Sequence, residues 1–172
     1  MARPMVIAID GPAGAGKSTV TRALAKRLGI LFLDTGAMYR AATVGAQEAG
    51  IDGGDPAAVA AWVCQRTIDF DAVGEVRLDG KVMSRERIRS PEVTGRIWHI
   101  ADNPACRAHL VKQQQALVAG RDAVVEGRDA TTVICPDAQL KVYLDASPEE
   151  RARAVASPNG LPAWSSRRCS TW

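Results

Sequence analysis

Gly11-Pro12-Ala13-Gly14-Ala15-Gly16-Lys17-Ser18 is a complete GxxxxGK[ST] run, and Thr19 follows it. Residues of these types at this spacing can hold a polyphosphate. An anion of that charge density needs a ring of backbone N–H donors approached with no Cβ in the way, and glycines at 11, 14 and 16 allow it. Lys17 adds a point charge where β and γ phosphates would lie, and the Ser18 hydroxyl can hold Mg²⁺ at the positive N-terminus of the following helix. A glycine-rich turn without a ligand is the plain alternative. The flanks argue against it: the apolar run Met5-Val6-Ile7-Ala8-Ile9 leads in, and Val20, Ala23, Leu24 and Leu28 recur on one helical face up to Gly29. Nucleotide binding over residues 11–19 is therefore expected.

Two further stretches put charged residues at strand ends. Ile30-Leu31-Phe32-Leu33 suits a buried parallel strand and delivers Asp34-Thr35-Gly36-Ala37-Met38-Tyr39-Arg40 at its carboxyl end, where α/β proteins bind ligands. Ala123-Val124-Val125-Glu126 is a second such strand and ends in Gly127-Arg128-Asp129. A carboxylate at that tip can reach a Mg²⁺ shell from the side opposite Ser18; away from a phosphate loop it would be an ordinary loop charge. Arg85, Arg87, Arg89 and Arg96 crowd another stretch. They can line an anionic substrate, but spacing alone favours a solvated face.

The elements that position these groups follow from local signals. Ala37 to Ala49 reads as a small-residue helix stopped by Gly50, and Asp55-Pro56 opens another as N-cap and first-turn proline. Between Thr67 and Met83 short strands alternate, with Asp79-Gly80 as a two-residue hairpin turn, so a small antiparallel insert interrupts an α/β progression. Asn103-Pro104 starts a helix bearing Arg107, Leu110, Val111 and Leu117, which stops at Gly120. Gln139 to Asp145 reads as a strand alternating Leu140, Val142 and Leu144, and Ser147-Pro148-Glu149-Glu150 as a capping box. With 22 basic and 19 acidic residues the net charge is +3, which argues for neither nucleic acid nor membrane. Cys64, Cys106, Cys135 and Cys169 are spread too widely for a metal or redox motif, and free thiols imply a reducing compartment. With no signal-type segment and no membrane-length apolar run, a soluble cytoplasmic protein is expected.

Taken together, the stretches 9–19, 33–40, 88–95, 101–107 and 126–138 resemble the bacterial cytidylate kinases, a branch of the nucleoside monophosphate kinases. The resemblance runs from about residue 5 to residue 153, and DTGAMYR with GRD around an inserted hairpin is its specific part. It implies a three-layer phosphate-loop α/β fold with a central parallel sheet and a small antiparallel acceptor-binding insert at about 67–103, within one kinase domain at 1–156. It also implies ATP-dependent phosphorylation of CMP or dCMP with Mg²⁺, by a monomer. Lys17, Arg40 and Arg128 would be the catalytic cations, with Thr35 beside the acceptor phosphate. Arg107 and Asp129 would read cytosine, and Ser18 and Glu126 would serve the metal, the latter through water. Trp98 stands where many members of that family have a serine that helps bind the base, and Thr131 where they have glycine.

Relatives in that family continue past Glu149-Glu150-Arg151 with an arginine-rich helix, a lid, a last strand and a last helix. None of these is recognisable in Ala154 to Trp172, where three breakers and four serines imply an irregular or disordered tail at 157–172. Two readings therefore stand side by side: a cytidylate kinase, and a remnant that binds nucleotide without efficient transfer. A hydrolysing nucleotide switch would need a guanine-reading NKxD segment, and the chain has none.

Overall fold

The computed structural model describes residues 3–71 and 73–156; the tail expected at 157–172, with Cys169, lies outside them. In chain order come β1 (Val6–Asp10), α1 (Lys17–Leu28), β2 (Leu31–Asp34), α2 (Thr35–Glu48) and α3 (Pro56–Val63), then β3 (Ile68–Phe70), β4 (Val76–Leu78) and β5 (Lys81–Val82). Short helices α4 (Arg85–Ile88), α5 (Pro91–Arg96) and α6 (Trp98–Ala101) lead to α7 (Pro104–Val118) and β6 (Ala123–Glu126). A π-helical turn (Ala130–Ile134), β7 (Leu140–Tyr143) and α8 (Pro148–Ala156) complete the order.

Four parallel strands form the central sheet in the order β2-β6-β1-β7. Helices cover both faces, which is why the inner strands are apolar throughout rather than alternating. Ile7, Ile9 and Val124 pack with Ala25 of α1 on one face. Ala8, Leu33 and Val125 turn the other way, into the core built with Met38 and Ala41 of α2 and Leu110 of α7. The result is three layers.

A separate antiparallel sheet, β3-β4-β5, forms the insert. Its hairpin turns through Asp79 (φ 49) and Gly80 (φ 81), the paired positive dihedrals of a type I′ turn. The insert sits close against α2 because Gly45 has no side chain; a Cβ there would lie 2.3 Å from Leu78 Cδ2 and 2.6 Å from the Trp62 ring.

The expected caps are present. Asp55 accepts from the Ala57 and Ala58 amides, and Asn103 from those of Ala105 and Cys106. Ser147 Oγ accepts from Glu150 N while the Glu150 carboxylate accepts from Ser147 N, closing the capping box in both directions.

The apolar face expected on α1 is buried only in part: Leu24 packs against the sheet. Lys17, Thr21 and Ala25 are its buried residues, whereas Val20 and Leu28 are 44% and 43% exposed and Ala23 is also exposed. The phosphate loop sets the rotation of the helix, turning Lys17 and Thr21 toward Glu126 at the expense of the outer aliphatic residues. α2 starts at Thr35 rather than Ala37, because the Asp34 side chain accepts from Ala37 N and caps it. Of the alternating Leu140, Val142 and Leu144, the last two pack against the core, while Leu140 is half exposed on β7, which pairs on one side only, with β1, among the described residues. No helix among the described residues is long and apolar enough to cross a membrane. Cys64, Cys106 and Cys135 are free, and burial pushes the Cys106 and Cys135 thiols up to about 11, so neither is a reactive thiolate.

Candidate active site

Between β1 and α1 the chain turns through three glycines with positive φ, Gly11 (150), Gly14 (79) and Gly16 (80). Their reasons differ. A Cβ at Gly11 would lie 1.9 Å from the Leu144 carbonyl oxygen, and one at Gly14 2.7 Å from that of Arg151. Gly16 meets nothing and is required by its dihedral alone. As N-cap of α1 it offers no side-chain hydrogen bond, so the positive helix end is left for an anion.

Lys17 folds back over the loop and donates from Nζ to the Pro12 carbonyl at 2.8 Å. Burial lowers its pKa, helped by Arg128, while Glu126, Asp10 and Asp34 pull the other way. Ser18 Oγ donates to Glu126 Oε1 at 2.7 Å, and Thr21 Oγ1 lies 3.1 Å from the other carboxylate oxygen. Burial, then the charge on Asp34, raises the Glu126 pKa against the stabilising effect of these hydroxyls and Lys17. Hard oxygen donors thus converge beside the loop, the chemistry that Mg²⁺ takes.

A second set of cations faces this one. Arg128 Nη1 donates to the Gly11 carbonyl at 3.1 Å, placing its guanidinium on the loop itself. Arg40 is held from the insert side: Nη1 donates to Thr94 Oγ1 at 2.7 Å and, more weakly, to the Ile88 carbonyl at 3.4 Å. Arg107 pairs directly with Asp129, and its other Nη donates to the Ala101 carbonyl at 3.4 Å. Thr35 is nearly buried, and its hydroxyl donates to the Glu126 carbonyl at 2.7 Å, so it links the tips of β2 and β6. The phosphate loop, Thr35, Glu126, Arg128 and Asp129 thus adjoin the carboxyl ends of β1, β2 and β6, while Arg40 comes from α2 and Arg107 from α7.

Several residues that shape the site escaped the sequence reading. Asp10 accepts from Ala130 N, Thr131 N and Thr131 Oγ1, and so pins the π-helical turn after Asp129. Thr131 fits there through its hydroxyl. Asp34 caps α2 and also accepts from Arg89 at 2.8 Å, so the exposed Arg89 side chain still reaches the tip of β2. Arg87 meets the solvated expectation, pairing with Glu92 where both are exposed. Burial, then the neighbouring Arg89 charge, lowers the Arg40 pKa; two guanidinium groups held that close favour an anion between them. The signal for Asp10 and Asp34 was available, since each ends a strand of the central sheet; Arg89 was visible only as one of four crowded arginines that spacing could not tell apart.

A three-layer sheet protein whose glycine loop faces a second bank of arginines across β1 has the layout of the phosphate-loop kinases. A family profile, cytidylate kinase, matches residues 7–159. A cytidylate kinase of Pelotomaculum thermopropionicum is 50% identical over 151 residues, covering 86% of this chain and 66% of the relative. One from Mycobacterium leprae is 49% identical over 152 residues, with shares of 87% and 66%. A bifunctional pantoate ligase/cytidylate kinase of Synechococcus sp. (strain WH7803) is 51% identical over 160 residues, 91% of this chain and 32% of the relative. The chain belongs to the cytidylate kinase family. It spans just under two thirds of the single-activity relatives and about a third of the bifunctional one.

Proposed function

We propose that this chain transfers the γ-phosphoryl group of ATP to CMP or dCMP. The observation that supports this most is the Arg128–Gly11 hydrogen bond, which sets an acceptor-side cation 3.1 Å from the backbone of the donor cradle. Two phosphates repel one another, and a site that brings them into line must place positive charge between them.

The acceptor oxygen is already an anion, so no general base is needed. It attacks the γ-phosphorus, the bond to the β–γ bridging oxygen breaks, and CDP and ADP result. Lys17 exchanges the Pro12 carbonyl for the donor phosphates, while Arg40 and Arg128 draw in the acceptor phosphate. Cytosine presents O2 and N3 as acceptors and an N4 amino group as donor, which the Arg107 guanidinium and Asp129 carboxylate complement. Ser18 and Glu126, whose oxygens lie 2.7 Å apart, fit a divalent cation. Mg²⁺ bound there would neutralise charge on the transferring group. Residues 1–156 act as one unit, with the insert at 67–103 as the acceptor-side wall, and the protein works as a monomer in the cytoplasm; the free thiols of Cys64, Cys106 and Cys135 among the described residues agree with a reducing compartment.

A coupled assay with ATP, Mg²⁺ and a panel of nucleoside monophosphates tests the reading. CDP formation is expected, with Lys17→Ala lowering kcat by about 10²- to 10³-fold, as when a charge-stabilising donor is lost. Phosphorylation of AMP or UMP with CMP inert, or CMP binding with no transfer at all, would overturn it.

A further inference from the structure

A cavity of about 380 Å³ lies between the C-terminal half of α2, the turn at residues 51–54 and the segment of α5 and α6. None of the side chains placed at the active site lines it. Gln47, on its wall, follows Arg40 by two turns of α2, about 10 Å along the helix axis. The cavity is therefore a separate place in the fold.

Its walls set both signs of charge around an apolar surface, to which Ile51, Val59 and Ile100 contribute. Asp52 Oδ1 accepts from Gly54 N at 2.8 Å, while Oδ2 accepts no hydrogen bond among the described residues. Arg96, the last residue of α5, is exposed and forms no ion pair among the described residues. Two further polar atoms belong to lining side chains: Gln47 Oε1 and His99 Nδ1 are shielded and have no hydrogen-bond partner among the described residues. Such atoms are uncommon, because each gives up its bond to water without a replacement. The Gln47 amide nitrogen donates only weakly, to Glu92 Oε1 at 3.4 Å. Little holds the amide plane, and a turn about its soft last torsion presents the oxygen to an occupant.

We propose that this cavity is a second ligand site and that it takes a nucleoside monophosphate whose base carries an exocyclic amino group. The volume falls in the range of about 300–1,000 Å³ that small-molecule pockets span. The phosphate meets Arg96, the flat base lies against Ile51, Val59 and Ile100, and the amino N–H groups donate to Asp52 Oδ2 and Gln47 Oε1. A base with a carbonyl in place of the amino group sets an acceptor against two acceptors and is turned away. A nucleoside lacks the anion for Arg96, and a sugar phosphate lacks the base.

Calorimetric titration of the whole chain with CMP tests the site. The wild type should bind one more CMP per chain than Arg96→Ala or Gln47→Leu, each of which should weaken the cavity site at least about tenfold, the loss that goes with one hydrogen bond to a charged or buried group. Both variants should still form CDP. UMP, cytidine and ribose 5-phosphate should bind the wild type and the two variants alike; a UMP molecule lost in the same variants would overturn the amino-group assignment. Equal numbers of CMP bound by the wild type and both variants would remove the cavity site, and if that wild type forms CDP the function proposed above stands. A wild type that forms no CDP, yet binds a CMP that Arg96→Ala loses, keeps the cavity site and removes the function.

Discussion

Glu126 shows how much a single side chain is asked to do. It ends β6 only 7% exposed, yet two hydroxyls and Lys17 surround it. Because burial and Asp34 raise its pKa, the native state binds its proton more tightly than the unfolded chain does. The stability this contributes is present at low pH and is lost as pH rises through the raised value, at about 1.4 kcal/mol for each unit of upward shift. Replacing it by a neutral isostere removes that dependence. In urea titrations from pH 4 to 8 (a range of about four units), Glu126→Gln should gain stability relative to the wild type as pH rises, and Mg²⁺ should narrow the gap by favouring the ionised carboxylate. The same substitution should lower kcat about 10- to 100-fold, the usual loss when a carboxylate supporting a metal site is removed. A stability gap that does not change with pH would show that Glu126 is not held in the raised state. At this scale the motif made Lys17 and Ser18 legible, and the strand-tip position made Glu126 so. Thr21 was hidden, since a threonine inside a helix gives no sign of which carboxylate it will face.

The elements are held by contacts of unequal reach, and legibility follows that division. Hairpin turns and caps depend on dihedrals and on partners two or three residues away, so Asp79-Gly80, Asp55, Asn103 and Ser147 could be read directly. The rotation of α1 and the exposure of β7 depend on what packs from afar, and periodicity caught them only in part: Leu24, Val142 and Leu144 pack against the core, whereas Val20, Leu28 and Leu140 are exposed. The glycines of the phosphate loop separate the two kinds of constraint. Gly16→Ala adds a Cβ to a left-handed residue in open space and should cost about 1–2 kcal/mol. Gly11→Ala drives a Cβ into the Leu144 carbonyl, which is backbone and cannot step aside, and should cost more, about 3 kcal/mol or above. Chemical denaturation of the two variants checks the order; equal costs would mean that the loop and the β7–α8 connection are not packed as described.

Across the whole molecule the site has two halves from different sources. The central sheet supplies the loop, Glu126, Arg128 and Asp129 from its strand ends, and the segments around the insert supply Arg89 and the Thr94 and Ile88 groups that hold Arg40. The Asp34–Arg89 pair joins them. That junction could not be read from the sequence, because its partners are 55 residues apart and one lies among arginines of similar context. For transfer, both halves must grip phosphates at the same time. Calorimetric binding of a bisubstrate analogue, adenosine and cytidine joined through five phosphates, measures this without any catalytic step. One molecule per chain should bind about 10²- to 10⁴-fold more tightly than ATP alone, the gain expected when two sites are engaged through one link, and Lys17→Ala and Arg128→Ala should each remove part of it. An analogue that binds no more tightly than ATP would contradict the two-phosphate grip.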